Sequence, residues 1–409
     1  MKNKVLKNYS YMLIVQALTY VVPLLTIPVI INAVGVSNFG LVTFSQSFLM
    51  FFYLLIDFGF SISSTKEFSL AKNDNDISYI LSNLLVAKLI LSLVSFFVLC
   101  LLLYLVPAFK ENYLLHLLSY LWVLGQGFSP IWYFQGRESI KLYTLVQAVG
   151  KLIYLISIFL FIKTIDDYIY IPLINGMTVI LITIYLYYAI FSKDMIKLSL
   201  LSVTKNSVML VIKNSSKFFL SRVSVVLYST ANVFFLGIHS TPIAVGYYAV
   251  AEKVYIAVQS LASPVVQVLY PHMCKTKDVV FFKKALLISL LSVLIVAGIV
   301  VYFSNFFVSF ISASNASDVS VQTLKILMCA VTFSVTSMLI GYPLLGALGY
   351  PNYANNSVIF SSVFHLIALA VLYVSNLLSP YSLAALVVIT QSVDCLYRVY
   401  FVRQLRLFS

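Results

Sequence analysis

Charged residues are scarce in this sequence. Asp, Glu, Lys and Arg make up only 10% of its 409 residues, whereas soluble domains carry about a quarter. Hydrophobic residues make up 61%, and they recur in runs long enough to cross a hydrocarbon core about 30 Å thick. The composition excludes an ordinary soluble domain and predicts an all-α, polytopic membrane protein.

Cysteine, histidine and acidic residues are also few. The four cysteines lie in or beside apolar segments, without a CxxC spacing or a histidine cluster. This pattern predicts small buried side chains and no disulfide framework, metal site or cofactor. Acidic residues number 13 against 26 basic ones, which gives a net charge of +13. In a chain of this class we interpret the excess as cytoplasmic loops, not as a nucleic-acid interface.

Twelve apolar segments are predicted to span the membrane. Their approximate limits are 9–34, 41–63, 79–106, 113–135, 142–164, 168–191, 213–237, 243–270, 284–310, 320–347, 353–375 and 380–402. If the N-terminus is cytoplasmic, most Lys and Arg residues, among them Arg137 and Arg398, belong to inner connections, and the outer connections hold only Lys110 and Lys163. Both termini are therefore predicted to be cytoplasmic.

An internal repeat is visible at an offset of 206 residues. Residues 7–40 align without gaps with residues 213–246, so that Gly40 falls on Gly246. The repeat predicts an N-terminal six-helix lobe (1–205) and a C-terminal six-helix lobe (206–409), related by an axis along the membrane normal. Two such bundles facing each other across a cleft are typical of an alternating-access transporter.

Several spanning segments contain cations. Arg222 lies about 13 Å into its helix, and the apolar stretch 218–237 holds no acidic residue beside it. Such a charge costs about 2.5–3.5 kcal/mol or more, so Arg222 either snorkels to the interface or lines a water-filled cavity. Lys253 and Lys151 are equally deep, and Lys88 lies nearer the cytoplasmic end. A cavity lined by these cations would suit a phosphate, and a lipid pyrophosphate in particular.

Three acidic residues in the spanning segments balance these cations incompletely. They are Asp57, Glu252 and Asp394. Each is either a salt-bridge partner or a group that exchanges a proton or a sodium ion during transport. The sequence leaves both interpretations open.

Five stretches carry a resemblance to a known family. They are "PLLTIPVIINAVGVSNFGLVTFSQSF" (23–48), "DFGFSISSTKEFS" (57–69), "PIWYFQGRESIK" (130–141), "SRVSVVLYSTANVFFLG" (221–237) and "VGYYAVAEKV" (245–254). In their residues and order, they resemble the Wzx-type polysaccharide flippases of the multidrug/oligosaccharidyl-lipid/polysaccharide exporter superfamily. The match covers nearly the whole chain and is most specific around "PIWYFQGRE".

This resemblance implies a fold and a function. The fold would be two six-helix lobes forming a V that opens to alternating sides of the bacterial inner membrane. The substrate would be an undecaprenyl-pyrophosphate-linked O-antigen or capsule unit, with a polysaccharide polymerase and a chain-length regulator as further partners. Arg222 and Lys253 in matching motifs, and Lys151 in a less distinctive one, would meet the pyrophosphate. Asp57 and Arg137 would serve gating or packing at the cytoplasmic side.

Other functions are consistent with a polytopic chain. A cation-coupled drug exporter of the same superfamily would share the fold, but a cavity richer in Lys and Arg than in acids fits cationic drugs poorly. A membrane-embedded polymerase or ligase would need a catalytic loop, and the outer connections here are only about ten residues long, without paired acids or histidines. A lipid scrambler without gating is the remaining alternative. The sequence favours a transporter that is not an enzyme.

Overall fold

The fold is entirely helical over the residues that the structure describes. This structure, a computed structural model, describes the backbone of residues 2–192, 195–199, 203–313 and 316–408. Within these ranges it also describes the side chains, except those at positions 2–17, 20, 220, 221, 224, 225 and 227–229. Its helices are α1 (Lys2–Asp57), α2 (Phe60–Leu70), α3 (Asp74–Leu105), α4 (Pro107–Lys110), α5 (Tyr113–Phe128), α6 (Ile131–Gly136), α7 (Ile140–Phe161), α8 (Tyr170–Ser192), α9 (Lys205–His239), α10 (Pro242–Ser260), α11 (Ser263–Thr276), α12 (Val279–Tyr302), α13 (Ser304–Ser312), α14 (Asp318–Leu339), α15 (Pro351–Val374) and α16 (Pro380–Gln404). A 3-10 helix (Ile165–Ile169) precedes α8, and a π-helix (Ile340–Gly346) follows α14.

The predicted all-α, multi-pass class is confirmed. Within the described residues, nine helical stretches are long and apolar enough to cross a membrane. One of them, Val21–Leu70, contains the second predicted span and the later part of the first. Predicted spans 113–135 and 213–237 correspond to α5 with α6 and to α9. The number of twelve spans and their division into two lobes stay predictions.

The chain contacts define two compact units. Unit 1 comprises Met1–Val34 and Phe44–Val226, and unit 2 comprises Gly35–Thr43 and Leu227–Ser409. The short segment Gly35–Thr43 of α1 thus packs with the second half of the chain. The lobe limits 1–205 and 206–409 concern the sequence repeat and stay a prediction.

Glycines allow a break in α1 and a close helix contact in the segment of α1 that belongs to unit 2. Gly35 has φ 80° and ψ 162°, which breaks the helix, and no atom lies within 4 Å of the position that a Cβ would occupy. Only glycine adopts this conformation without strain. A Cβ on Gly40 would lie 1.9 Å from the carbonyl oxygen of Pro242, and one on Gly246 would lie 2.3 Å from that of Val36. Each glycine thus packs against a residue of the other repeat. Val36 and Pro242 are 206 residues apart, as are Gly40 and Gly246, so the two contacts correspond to each other in the repeat.

The most specific motif of the sequence forms part of the core of unit 1. Trp132, Tyr133 and Phe134 of "PIWYFQGRE" are all buried. The ring centroids of Phe68 on α2 and Trp132 are 5.1 Å apart, and a Cβ on Gly136 would lie 2.6 Å from the Cβ of Phe68. The motif therefore holds α6 against α2.

Candidate functional site

The candidate site begins at the corner between α1 and α2. Gly59 at this corner has φ 81° and precedes the first residue of α2. A Cβ on Gly59 would lie 2.8 Å from the Cβ of Phe218 and 2.9 Å from the backbone nitrogen of Phe219 on α9. One turn further along α2, the hydroxyls of Ser63 and Ser215 are 2.7 Å apart. This close approach sets the position of α9 against the corner.

Arg222 meets Asp57 across this contact. Its Nη2 lies 3.3 Å from Oδ2 of Asp57 and donates a hydrogen bond of 2.8 Å to Oγ of Ser61. The Ser61 hydroxyl itself donates to Oδ2 of Asp57 at 3.1 Å. The three side chains form a closed triangle within unit 1. The charge that has no partner in its own segment thus has one 165 residues earlier in the chain.

The triangle engages only part of the guanidinium. Both contacts described above use Nη2, and Nε of Arg222 is buried without a hydrogen-bond partner. The Arg222 side chain is 38% exposed, whereas that of Asp57 is 6% exposed. A guanidinium carries five N–H groups in a fixed plane. An arginine that is held at Nη2 and is partly exposed therefore keeps donors for an anion, apart from the buried Nε.

The other predicted cations have different surroundings. Lys151 on α7 and Lys253 on α10 are half-buried, the first in unit 1 and the second in unit 2. Lys88 is fully enclosed. Its Nζ donates to the carbonyl oxygen of Gly127 at 2.6 Å and lies 5.3 Å from the ring centroid of Phe60. These contacts give Lys88 a packing role between α3, α5 and α2, and its role toward a substrate stays a prediction.

The remaining predicted residues are also spread over the fold. Glu252 is half-buried on α10, and Arg137 is exposed in the turn after α6. Asp394 on α16 accepts a hydrogen bond from the Ser337 hydroxyl, and Nη2 of Arg398 lies 3.3 Å from its Oδ2. Their roles in gating or coupling stay predictions.

Arg398 corrects one part of the sequence analysis. It was expected in a cytoplasmic connection, but it lies inside α16 and is only 7% exposed. Its Nε donates to Oγ of Ser357 at 2.7 Å, and its Nη1 donates to the backbone carbonyl of Ser337. The four-residue spacing to Asp394, which places both on one helix face, is the signal that could have revealed the pair.

Two buried histidines organise polar contacts that the sequence analysis did not consider. Nδ1 of His116 lies 2.9 Å from Oγ of Ser45 in unit 1. In unit 2, His365 lies 2.9 Å from Oγ1 of Thr390 and 3.1 Å from Oδ1 of Asn232. In the part of the chain that the structure describes, no group of three or more His, Cys, Asp or Glu side chains could hold a metal ion.

Comparison with known proteins identifies a family and similar proteins for this chain. Residues 5–277 match the family described as "Polysaccharide biosynthesis protein". The chain is 27% identical over 292 residues to a protein of Escherichia coli (strain K12) named "Putative O-antigen transporter", covering 68% of this chain and 69% of the relative.

Two solved structures share the fold. One is titled "Lipid II flippase MurJ, inward closed conformation", with a TM-score of 0.75 and 16% identity over 96% of this chain and 87% of that chain. The other is an inward-facing multidrug resistance MATE family transporter of the MOP superfamily, with a TM-score of 0.70 and 13% identity over 95% and 94% of the two chains. At these identities the likeness concerns the fold alone.

Proposed function

The chain belongs to the polysaccharide biosynthesis protein family, and we propose that it is a flippase for lipid-linked oligosaccharides in the bacterial inner membrane. The relative named as an O-antigen transporter supports this class of substrate. The cargo would be an undecaprenyl-pyrophosphate-linked repeat unit, moved from the cytoplasmic to the periplasmic leaflet. A flippase moves its cargo without covalent chemistry, so the chain would not be an enzyme.

The observation that carries the proposal is the state of Arg222. A phosphate prefers a guanidinium that can offer two parallel N–H groups. Arg222 is exposed over 38% of its side chain, and its carboxylate partner contacts it at Nη2 alone. In this proposal Asp57 and Ser61 orient the guanidinium in the absence of cargo, and the pyrophosphate binds the donors that remain.

Other charged residues would act together with Arg222 in the transport cycle. Lys151, Lys253 and Lys88 would add positive charge along the path of the headgroup, while the polyprenyl chain stays in the lipid. The two lobes (1–205 and 206–409) would alternate between inward and outward openings. A proton or a sodium ion bound at an acidic residue such as Glu252 would reset the cycle.

The contacts of Asp394 favour a salt-bridge role for this residue over ion exchange. Its carboxylate contacts Arg398 and Ser337 within unit 2. Arg137, exposed after α6, would act at the cytoplasmic surface. A polysaccharide polymerase and a chain-length regulator would use the flipped product. Among the alternatives, a drug exporter would share the fold, but the Arg222 arrangement favours an anionic headgroup.

The function is tested in a strain that lacks this protein. Lipid-linked repeat units in each membrane leaflet and polysaccharide on the surface are measured with and without a plasmid copy of the gene. We expect repeat units to accumulate on the cytoplasmic leaflet without the protein and to reach the surface when it is restored. Normal leaflet distribution without the protein, with other flippases absent, would contradict the proposal.

A further inference from the structure

A cavity lined by both apolar and polar side chains lies at one end of unit 1, away from the Arg222 triangle. Its volume is about 400 Å³, and it opens between the end of α2, the start of α3 and the first turns of α9. The polar side chains that line it are Glu67, Asp76, Tyr79, Asn83, Ser207 and Asn214. The distribution of Lys and Arg predicts that this end faces the cytoplasm, where a lipid-linked glycan is made.

The lining has the chemistry of a site for neutral sugars. Among the described residues that form it, none is Lys or Arg, and two carry carboxylates. Such a lining repels a phosphate. Sugar hydroxyls both donate and accept hydrogen bonds, and carboxylates, amides and hydroxyls match both roles. Tyr79, Leu210 and Val211 supply apolar surface for the C–H face of a sugar ring, as in most small-ligand pockets.

Part of the lining is already fixed in place. Asn83 is fully buried. Its Nδ2 donates to the carbonyl oxygen of Tyr79 at 2.9 Å, and its Oδ1 accepts from the Ser207 hydroxyl at 2.5 Å. Oδ2 of Asp76 accepts from the backbone N–H of Lys72 at 3.1 Å. A lining ordered before binding loses less entropy when a ligand arrives.

The cavity also lies close enough to Arg222 for one lipid-linked glycan to reach both. Ser207, Val211 and Asn214 follow one another on α9 at helical spacing, and Arg222 comes eight residues after Asn214. This is about 12 Å along the helix. A short oligosaccharide attached to a pyrophosphate can cover that distance.

We infer that this cavity is a glycan subsite, which binds neutral sugars of the repeat unit while Arg222 binds the pyrophosphate. The inference rests on the proposed function and deepens it, because it assigns recognition of the sugar to residues that do not touch the phosphate. Cavity variants should then change the choice of glycan, and Arg222 variants should change binding of every lipid pyrophosphate.

The test compares two probes on the purified full-length protein in lipid nanodiscs. One probe is undecaprenyl pyrophosphate carrying the repeat unit of the source strain, and the other is undecaprenyl pyrophosphate without sugar. The variants are Asn214→Ala and Glu67→Gln. Asn214 is exposed, so its replacement leaves the packing intact. Exposed residues outside the cavity provide matched controls, Asn356→Ala and Glu111→Gln.

We expect wild type and both controls to bind the glycosylated probe more tightly than the bare one. The cavity variants should lose about tenfold in affinity for the glycosylated probe only, the size expected for one or two hydrogen bonds. If wild type shows no preference, or the cavity variants keep it, the subsite is wrong and the proposed function stands. If wild type binds neither probe, the proposed function fails and the subsite with it.

Discussion

Two arginine–aspartate pairs among the described residues have the same contact distance and different surroundings. In each, an arginine Nη2 lies 3.3 Å from an aspartate Oδ2. The side chain of Arg222 is 38% exposed and that of Arg398 is 9% exposed. All three nitrogens of Arg398 donate hydrogen bonds, to Ser337 on α14 and to Ser357 and Ala354 on α15. Its Nη2 also forms the ion pair with Asp394 one turn earlier on α16. The described contacts of Arg222 to Asp57 and Ser61 use only Nη2.

This difference separates a structural cation from one that can bind a ligand. Removing a guanidinium from water is tolerated only when its donors are satisfied inside the protein. Arg398 donates from all three nitrogens and its side chain is only 9% exposed, so little of its guanidinium is accessible to a ligand. The Arg222 side chain keeps solvent access over 38% of its surface, so an anion can reach donors that Asp57 and Ser61 leave unused. This contrast leads to four predictions, beginning with the largest expected effect on stability.

Loss of Arg398 should damage the fold. Arg398→Met leaves the Asp394 carboxylate, whose side chain is only 13% exposed, without its cation. Removing one partner of a buried ion pair typically costs about 3–5 kcal/mol. We expect a clear fall in thermal unfolding temperature and in the amount of protein in the membrane. The double variant Arg398→Met/Asp394→Leu should recover much of the loss, because no uncompensated charge remains. A single variant as stable as wild type would show that the two pairs do not differ in this way.

The space beside Arg398 should also be intolerant of a methyl group. A Cβ on Gly341 would lie 2.4 Å from its Nη1. Because the guanidinium is held by several hydrogen bonds, Gly341→Ala should cost about 1–3 kcal/mol, as overpacking does. Gly298→Ala is the control, since no atom lies within 4 Å of its Cβ position. Equal unfolding temperatures for the two variants would contradict a fixed position for Arg398.

The acid that pairs with Arg222 should matter for binding more than for stability. Asp57→Asn removes the charge that competes for Arg222, so binding of inorganic pyrophosphate, measured by calorimetry, should become stronger. The free energy of unfolding should change by less than about 1 kcal/mol, because the Arg222 side chain that loses its partner is 38% exposed and can be solvated. Weaker pyrophosphate binding in this variant would mean that Asp57 is needed to form the anion site.

The serines that accept hydrogen bonds from the two arginines should show the same order of stability. Ser357 is fully buried and accepts from Nε of Arg398, so Ser357→Ala should cost about 1–2 kcal/mol in stability. Ser61 is half-buried beside Arg222, and Ser61→Ala should cost less than about 1 kcal/mol. The unfolding temperatures of the two variants, measured in parallel, test this order. A larger loss for Ser61→Ala than for Ser357→Ala would contradict the contrast between the two arginines.

The fold class was predictable from sequence because its cause is local. Apolar runs of spanning length leave the backbone few alternatives to a helix in lipid, and the depth of Arg222 follows from counting residues along its helix. Its partner could not be predicted, since Asp57 is 165 residues away and meets α9 only through the left-handed turn at Gly59. Lys88 shows the same limit, because a buried backbone carbonyl leaves no trace in the sequence. Arg398 is different, as its partner lies one turn away in the same helix.

The central claim is that Arg222 binds the anionic headgroup of the cargo. In a strain lacking this protein, wild type, Arg222→Ala and Arg222→Lys are restored at matched membrane levels. Surface polysaccharide and lipid-linked repeat units on the cytoplasmic leaflet are then measured. We predict that the alanine variant abolishes export and traps repeat units inside, while lysine partly restores it. Normal export by the alanine variant would contradict the claim. Arg222 would then be a cation that snorkels to the membrane interface.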